Sequence, residues 1–316
     1  MMKRLCVVVL VLLLPAAAMI PSTSLPCLRY NSIFSFGNSF ADTGNDIVVF
    51  AEHSLPKPAA RPPYGMTFFG HPTGRNSNGR LILDFVAEKL GLPFVPPFLA
   101  HNGGSFRQGA NFAVAGATAL NASFFRDIPG VGSFVLNTSS SVQLGWFDSL
   151  KPSLCSPAQE CVGFFHNSLF FMGEFGVNDY SFSFFGKTLP EVRSMVPDVV
   201  KAIKLATKRL IKQTRAKDAL FNVRINHPDV RVVYADFFTP VIRIVESPAT
   251  FGFTSDILRC CCGGGGKYNF NTSAGCGMAG STVCDYPATY LFWDGHMTEA
   301  AYRIIANAWL NSINTS

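Results

Sequence analysis

"SIFSFGNSFADTGND", residues 32–46, decides how the rest of this chain reads. An apolar, aromatic-rich run from Ser32 to Gly37 reads as a strand. It passes straight into Asn38 and Ser39, and then into the turn formers of "ADTGND". A strand that ends this way sets the Ser39 hydroxyl at its carboxyl end, where open α/β sheets hold their ligands.

Outward from that stretch, strand-like and helix-like segments alternate. "LILDFVAEKL", 81–90, has helical spacing and stops at Gly91 and Pro93. "GANFAVAGATAL", 109–120, mixes small residues with a short apolar core. "SLFFMGEFGVND", 168–179, reads as a buried strand followed by a glycine-rich turn. Thr188 and Glu191 have capping-box spacing ahead of a long helix. Its apolar line is Val192, Val196, Val199, Ile203 and Leu210, and Pro197 is placed to kink it. Lys201, Lys204, Lys208, Lys212 and Arg215 form a basic stripe, read as the solvated outer face. "RVVYAD", 231–236, predicts another strand and "TEAAYRIIANAWL", 298–310, a terminal helix. Strands alternating with helices predict a parallel sheet covered on both faces.

The 316 residues are 48% hydrophobic and 15% charged, which excludes a disordered chain. Thirty phenylalanines predict an aromatic core or pocket. The net charge of +6 is dispersed, without a basic patch interleaved with aromatics, so no nucleic-acid partner is expected. Lys3 and Arg4, the apolar run 5–14 and Ala16–Ala18 have the pattern of a leader peptide. The expected organisation is a leader over 1–25 and one domain over 26–316. The apolar run is short for a bilayer span, so stable membrane insertion is not expected. Cys6 lies in the leader. Cys27, Cys155, Cys161, Cys260, Cys261, Cys262, Cys276 and Cys284 remain, suited to disulfides in a secreted chain. Cys155 and Cys161 would close a small loop, whereas the adjacent triple at 260–262 is hard to satisfy in one geometry. No repeated CxxC or neighbouring histidine supports a zinc site. Sequons at Asn121, Asn137, Asn271 and Asn314 agree with secretion to the extracellular space or cell wall.

"FWDGHMTEAAY", 292–302, brings Asp294 and His296 just ahead of the last helix. A serine hydroxyl needs a base, and that base needs an orienting carboxylate. The developing oxyanion needs donors fixed in advance. Gly116 and Asn178, each after an apolar run, are candidates. Singly, each has an ordinary reading: a turn serine, a packing glycine, a turn asparagine, a loop histidine. Their order along one chain is what sets them apart.

"FGNSFADTGN", "NFAVAGATAL", "FFMGEFGVNDY" and "FWDGHMTEAAY" resemble, in order, the signature blocks of the plant GDSL-type esterases and lipases of the SGNH hydrolase superfamily. The flanks "GRLILDFVAEKLGLPFVPPFL" and "CCGGGGKYNFN" are similar to the sinapine-esterase-like secreted branch. The resemblance implies a three-layer α/β/α sandwich with a mostly parallel sheet. It implies ester hydrolysis through an acyl-enzyme, on a small-molecule or wall-polymer ester, with no metal or organic cofactor. Ser39 matches the nucleophile, Asp294 and His296 the acid and base. Gly116, Asn178 and the Ser39 backbone N–H match the oxyanion donors.

Three departures stand out. Asn38 replaces the family's usual Asp. Asp294-Gly295-His296 is one residue shorter than Asp-x-x-His, and two positions apart the side chains align only on extended backbone. Gly295 leaves the loop free to readjust. Between the basic helix and "RVVYADFF" the chain is short, so one strand-helix unit is expected to be missing and a cysteine to lack its partner. The competing expectation is a secreted binding glycoprotein that keeps the pocket with impaired catalysis.

Overall fold

The computed structural model describes residues 5–9, 30–100, 103–156, 158–214 and 230–315. Five parallel strands, in the order β3-β2-β4-β1-β5, make one sheet. They are β1 (Leu5–Val9), β2 (Ser32–Phe36), β3 (Gly109–Asn111), β4 (Ser168–Met172) and β5 (Val230–Tyr234). A separate two-residue ladder joins β6 (Cys262–Gly263) to β7 (Thr282–Val283). The helices are α1 (Asn45–Glu52), α2 (Ile82–Lys89), α3 (Ala122–Phe125), α4 (Ser140–Leu154), α5 (Ala158–His166), α6 (Val177–Ser183), α7 (Leu189–Ser194), α8 (Val196–Gln213), α9 (Phe238–Glu246) and α10 (Glu299–Thr315).

Alternation along the strands divides the core into two layers. Ile33, Leu169, Phe171 and Val233 face a cluster with α2, α9 and α10, through Ile82, Phe85, Ile244, Tyr302 and Trp309. Phe34, Phe36, Phe170 and Met172 face the other cluster, with Phe147 of α4, Phe165 of α5 and Leu210 of α8. The architecture is the expected α/β/α sandwich. Many of the phenylalanines fill it: Phe34 packs on Phe147, Phe165 and Phe170 with ring centroids 5.4–5.7 Å apart. Such edge and offset pairs add to the burial of each ring.

The Thr188–Glu191 capping box forms, but the helix it opens divides at Met195, with α8 beginning at Val196 and Pro197 in its first turn. Proline lacks the N–H that would continue the ladder and suits a new first turn. Lys201, Lys204, Lys208 and Lys212 are exposed as expected, and Arg215 lies outside the described residues.

The stretch between α8 and β5, where a strand-helix unit is expected to be missing, falls at 215–229, outside the described residues. The sheet is nevertheless continuous. The apolar N-terminal segment read as part of a leader supplies β1, which pairs Val7 with Phe170 on one side and with Val232 on the other.

Disulfides link Cys155–Cys161, Cys261–Cys284 and Cys262–Cys276. Two of the adjacent cysteines thus diverge to different partners, and the Cys260 thiol stays buried and free. Cys27 lies outside the described residues. Asn121, Asn137 and Asn271 are exposed, and the Asn314 side chain is outside the described set.

Candidate active site

Gly37 ends β2 and is clamped from α4. The Gly37 N–H donates to Gln143 Oε1 at 2.9 Å, and Gln143 Nε2 donates back to the Gly37 carbonyl at 2.8 Å. The following turn is organised by Asn38. Its side-chain oxygen accepts from the Phe40 N–H (3.0 Å) and its carbonyl from those of Ala41 and Asp42 (3.0 Å each). Asn38 Nδ2 donates to the Glu174 carbonyl at 2.7 Å, a bond that an ionised Asp in this position would not make. The departure at position 38 therefore has a structural use. Ser39 projects from this turn, 7% exposed, and its own N–H has no partner among the described residues.

Asp42 ties this turn to the segment carrying Gly116. Its buried carboxylate accepts from the N–H groups of Gly44 (2.8 Å), Asn45 (2.7 Å), Asp46 (3.0 Å) and Ala115 (2.8 Å). Burial lifts Asp42 to about 6 against the lowering effect of those four donors. Gly116 has φ +82°, a conformation that favours glycine. The N–H groups on either side are spent, Ala115 on Asp42 and Ala117 on Val114, while that of Gly116 makes no bond within the described chain. Asn178, at the start of α6, donates through Nδ2 to the Ala117 carbonyl at 2.9 Å. One N–H of that amide remains. Asp179 accepts from Ala119 N (2.8 Å) and Leu120 N (2.9 Å), so the 116–120 and 174–179 segments form one scaffold.

The shortened Asp-Gly-His loop closes on itself. Asp294 Oδ1 accepts from His296 N at 2.9 Å and lies 2.8 Å from His296 Nδ1. Gly295 takes φ +158°, a backbone that L side chains rarely adopt, and this brings the two side chains to one side. Burial alone would raise Asp294, but the His296 charge and its hydrogen bonds, with one from Tyr64, hold it below the usual carboxylate range. The His296 ring packs on Phe40, centroids 5.6 Å apart, next to Ser39 in the chain. Ser39 and His296 do not share a hydrogen bond in this structure, a contact that often tightens only around substrate.

The structure thus joins Asp294 to His296, and Asn178 to the turn of Gly116, and sets His296 against the neighbour of Ser39. Reading the sequence passed over Gln143, Asp42 and Tyr64, which hold these segments. Tyr64 sits in "RPPYG", whose only local signal is that of a turn. A cavity of about 260 Å³ is lined by Tyr64, Phe270, Met278 and Asp294, on the acid's side of the loop and without Ser39. No cluster of metal-ligating side chains occurs among the described residues.

A serine turn at a strand end, backbone N–H groups left unspent and an imidazole held by a carboxylate are the parts that an α/β hydrolase working through a serine requires. The comparisons narrow this class. The GDSL-like Lipase/Acylhydrolase family matches residues 33–309. The chain is 40% identical to GDSL esterase/lipase At1g28590 of Arabidopsis thaliana, over 90% of this chain and 83% of that protein. It is 38% identical to sinapine esterase of Brassica napus, over 92% of this chain and 88% of that protein. The chain belongs to the GDSL esterase/lipase family, a family of carboxylic-ester hydrolases with a serine nucleophile. The first alignment runs over 335 positions with only 90% of these 316 residues taking part, so the relative carries residues that this chain skips.

Proposed function

We propose that this chain is a secreted carboxylic-ester hydrolase with Ser39, His296 and Asp294 as its triad. The observation that carries the reading is the 2.8 Å contact of Asp294 Oδ1 with His296 Nδ1 beside Phe40. An ionised Asp294 accepts from Nδ1–H and leaves Nε2 as the lone-pair nitrogen, the tautomer a general base needs. His296 then takes the Ser39 proton as the oxygen attacks the ester carbonyl. The unspent N–H groups of Ser39 and Gly116, with the remaining Asn178 N–H, receive the oxyanion. The alcohol leaves with the proton from His296, and water attacks the acyl-enzyme by the same route in reverse. No step calls for a metal or organic cofactor.

Three disulfides and three exposed sequons support secretion to the extracellular space or wall. No helix among the described residues is long and apolar enough to cross a membrane. In this reading residues 1–25 are the leader and 26–316 the mature domain, and N-terminal sequencing of secreted protein is expected to begin near residue 26. The substrate is a small-molecule or wall-polymer ester.

The test is hydrolysis of a short-chain aryl ester by the disulfide-bonded protein beside Ser39→Ala. Turnover is expected to fall by at least about a thousandfold in the variant. The short stretch between α8 and β5 favours a second reading, a binding glycoprotein with impaired catalysis. A folded wild type that binds an acyl ligand without turning it over would support that one.

A further inference from the structure

In the Asp294-Gly295-His296 loop the two oxygens of the carboxylate are held differently. Asp294 Oδ1 carries both contacts to His296, to the backbone N–H at 2.9 Å and to Nδ1 at 2.8 Å. A carboxylate gripped through one oxygen still swings about its own bond, and a swing of even about 1 Å at such a pair can cost roughly a hundredfold in rate. The second oxygen, Oδ2, needs its own partner. That partner comes from 230 positions away: the Tyr64 hydroxyl donates to Asp294 Oδ2 in a short hydrogen bond. Tyr64 is itself fixed. It is 2% exposed, its ring lies edge-on to Trp293 at 6.0 Å, and it packs with the Cys262–Cys276 disulfide in one small cluster.

Resting on the triad reading above, we propose that Tyr64 is a positioning residue of this hydrolase, locking the Asp294 carboxylate so that the one-residue-shorter loop still orients His296. Tyr64 does not touch the reacting atoms; it acts through Asp294. Burial, and then the Asp294 charge, push the phenol above its usual range, so it remains a donor at every working pH. Two other titratable groups feel Asp294, the Tyr302 phenol and the Cys260 thiol, and Asp46 reaches Tyr64. Burial lifts Tyr302 well above its usual range and Cys260 to about 11, so both stay neutral at working pH.

The experiment measures ester hydrolysis by Tyr64→Phe, Asp294→Asn, the double variant and Ser39→Ala. Tyr64→Phe is expected to lower kcat by about ten- to a hundredfold with KM within about twofold. In the Asp294→Asn background the same change is expected to cost almost nothing, because the group it positions is gone. An equal loss in both backgrounds would reduce Tyr64 to a packing residue and overturn the proposal. So would a Tyr64→Phe enzyme as active as wild type while Ser39→Ala is dead. Turnover surviving in Ser39→Ala would instead defeat the triad reading itself.

Replacement of Tyr64 by 3-fluorotyrosine preserves the packing even if the phenylalanine variant does not fold. The fluorinated phenol is a stronger donor, withdraws charge from Asp294 and weakens its support of the imidazolium. The acid limb of kcat/KM is expected to move to lower pH by a few tenths of a unit, and an unmoved limb overturns the proposal.

Discussion

On the β3–β2–β4 side of the sheet, each strand end is fastened by buried side chains from a neighbouring segment. Gln143 grips Gly37, Asp42 reaches Ala115, and Asn45 Nδ2 donates to the carbonyls of Asn111 and Ala113 at 2.8 Å each. On the β1–β5 side, continuity comes from backbone ladders to one strand, β1, which joins residues 168–172 to 230–234. A parallel strand with a ladder on each side cannot leave without exposing two rows of backbone groups. The Ser39 turn and the segments carrying Gly116 and Asn178 lie on the first side. The second side depends on a segment that also has the character of a leader.

The sharpest break of this comparison is a chain that starts at residue 26, the form that removal of the proposed leader would leave. Without β1, β5 loses its sheet neighbour. The truncated protein is expected to melt at least about 10 °C below the chain that retains residues 1–25, a loss of several kcal/mol. Circular dichroism melts of the two check it. Coincident melts would show that β4 and β5 pair directly and that the two sides of the sheet are equally secure.

A second test lies under the serine turn and runs on pH. Glu174 is buried, its Oε2 has no hydrogen-bond partner, and its carboxyl would crowd a side chain at Gly37. Burial lifts it from 4.5 to about 7. The folded protein therefore holds this proton more tightly than the unfolded chain does. The associated stability is fully present below about pH 4.5 and is lost as pH rises through about 7. The loss amounts to roughly 3 kcal/mol. Asp42, lifted to about 6, works in the same direction, whereas the lowered Asp294 costs stability only toward strong acid. Glu174→Gln is expected to match wild type near pH 5 and to melt several degrees higher at pH 8. A variant no more stable at pH 8 than wild type would mean that the ionised carboxylate finds a partner.

What the sequence made legible follows the range of each interaction. The strand 32–36 and the turn after it are local chemistry, as is the Thr188–Glu191 capping box, and all stand where they were read. The Asp294–His296 spacing gave only half its answer. Two side chains two positions apart align on extended backbone, and that the loop instead bends at Gly295 and still joins them is a property of the folded loop. The division of the 188–213 helix at Met195 was visible only as Pro197. Tyr64 was silent because its partner is 230 residues away. The role of β1 was equally hidden, since an apolar run of five residues has the same composition in a leader and in a central parallel strand.

The smallest expected effect comes from the pair α4 and α8, which joins the two sides, α4 lying against β2 and α8 against β1. Arg209 Nη2 of α8 lies 2.8 Å from Asp148 Oδ2 of α4, and Gln213 Nε2 donates to the same oxygen at 2.7 Å. Both charged side chains are 41% exposed, so water screens the attraction and holding two long side chains costs entropy. Asp148→Asn removes the charge and leaves an oxygen able to accept from Gln213. The melting temperature is expected to fall by no more than about 2 °C at low salt, and the difference to vanish near 0.5 M, where the Debye length is roughly 4 Å. Apolar packing in the Phe147–Leu210 layer then remains, with the bonds of Arg209 to the Ser141 carbonyl and of Lys151 to the Gln213 carbonyl, as the attachment of α8 to α4. A larger, salt-independent drop would mean that polar fastening reaches the β1 side too, and that the contrast between the two sides is one of degree.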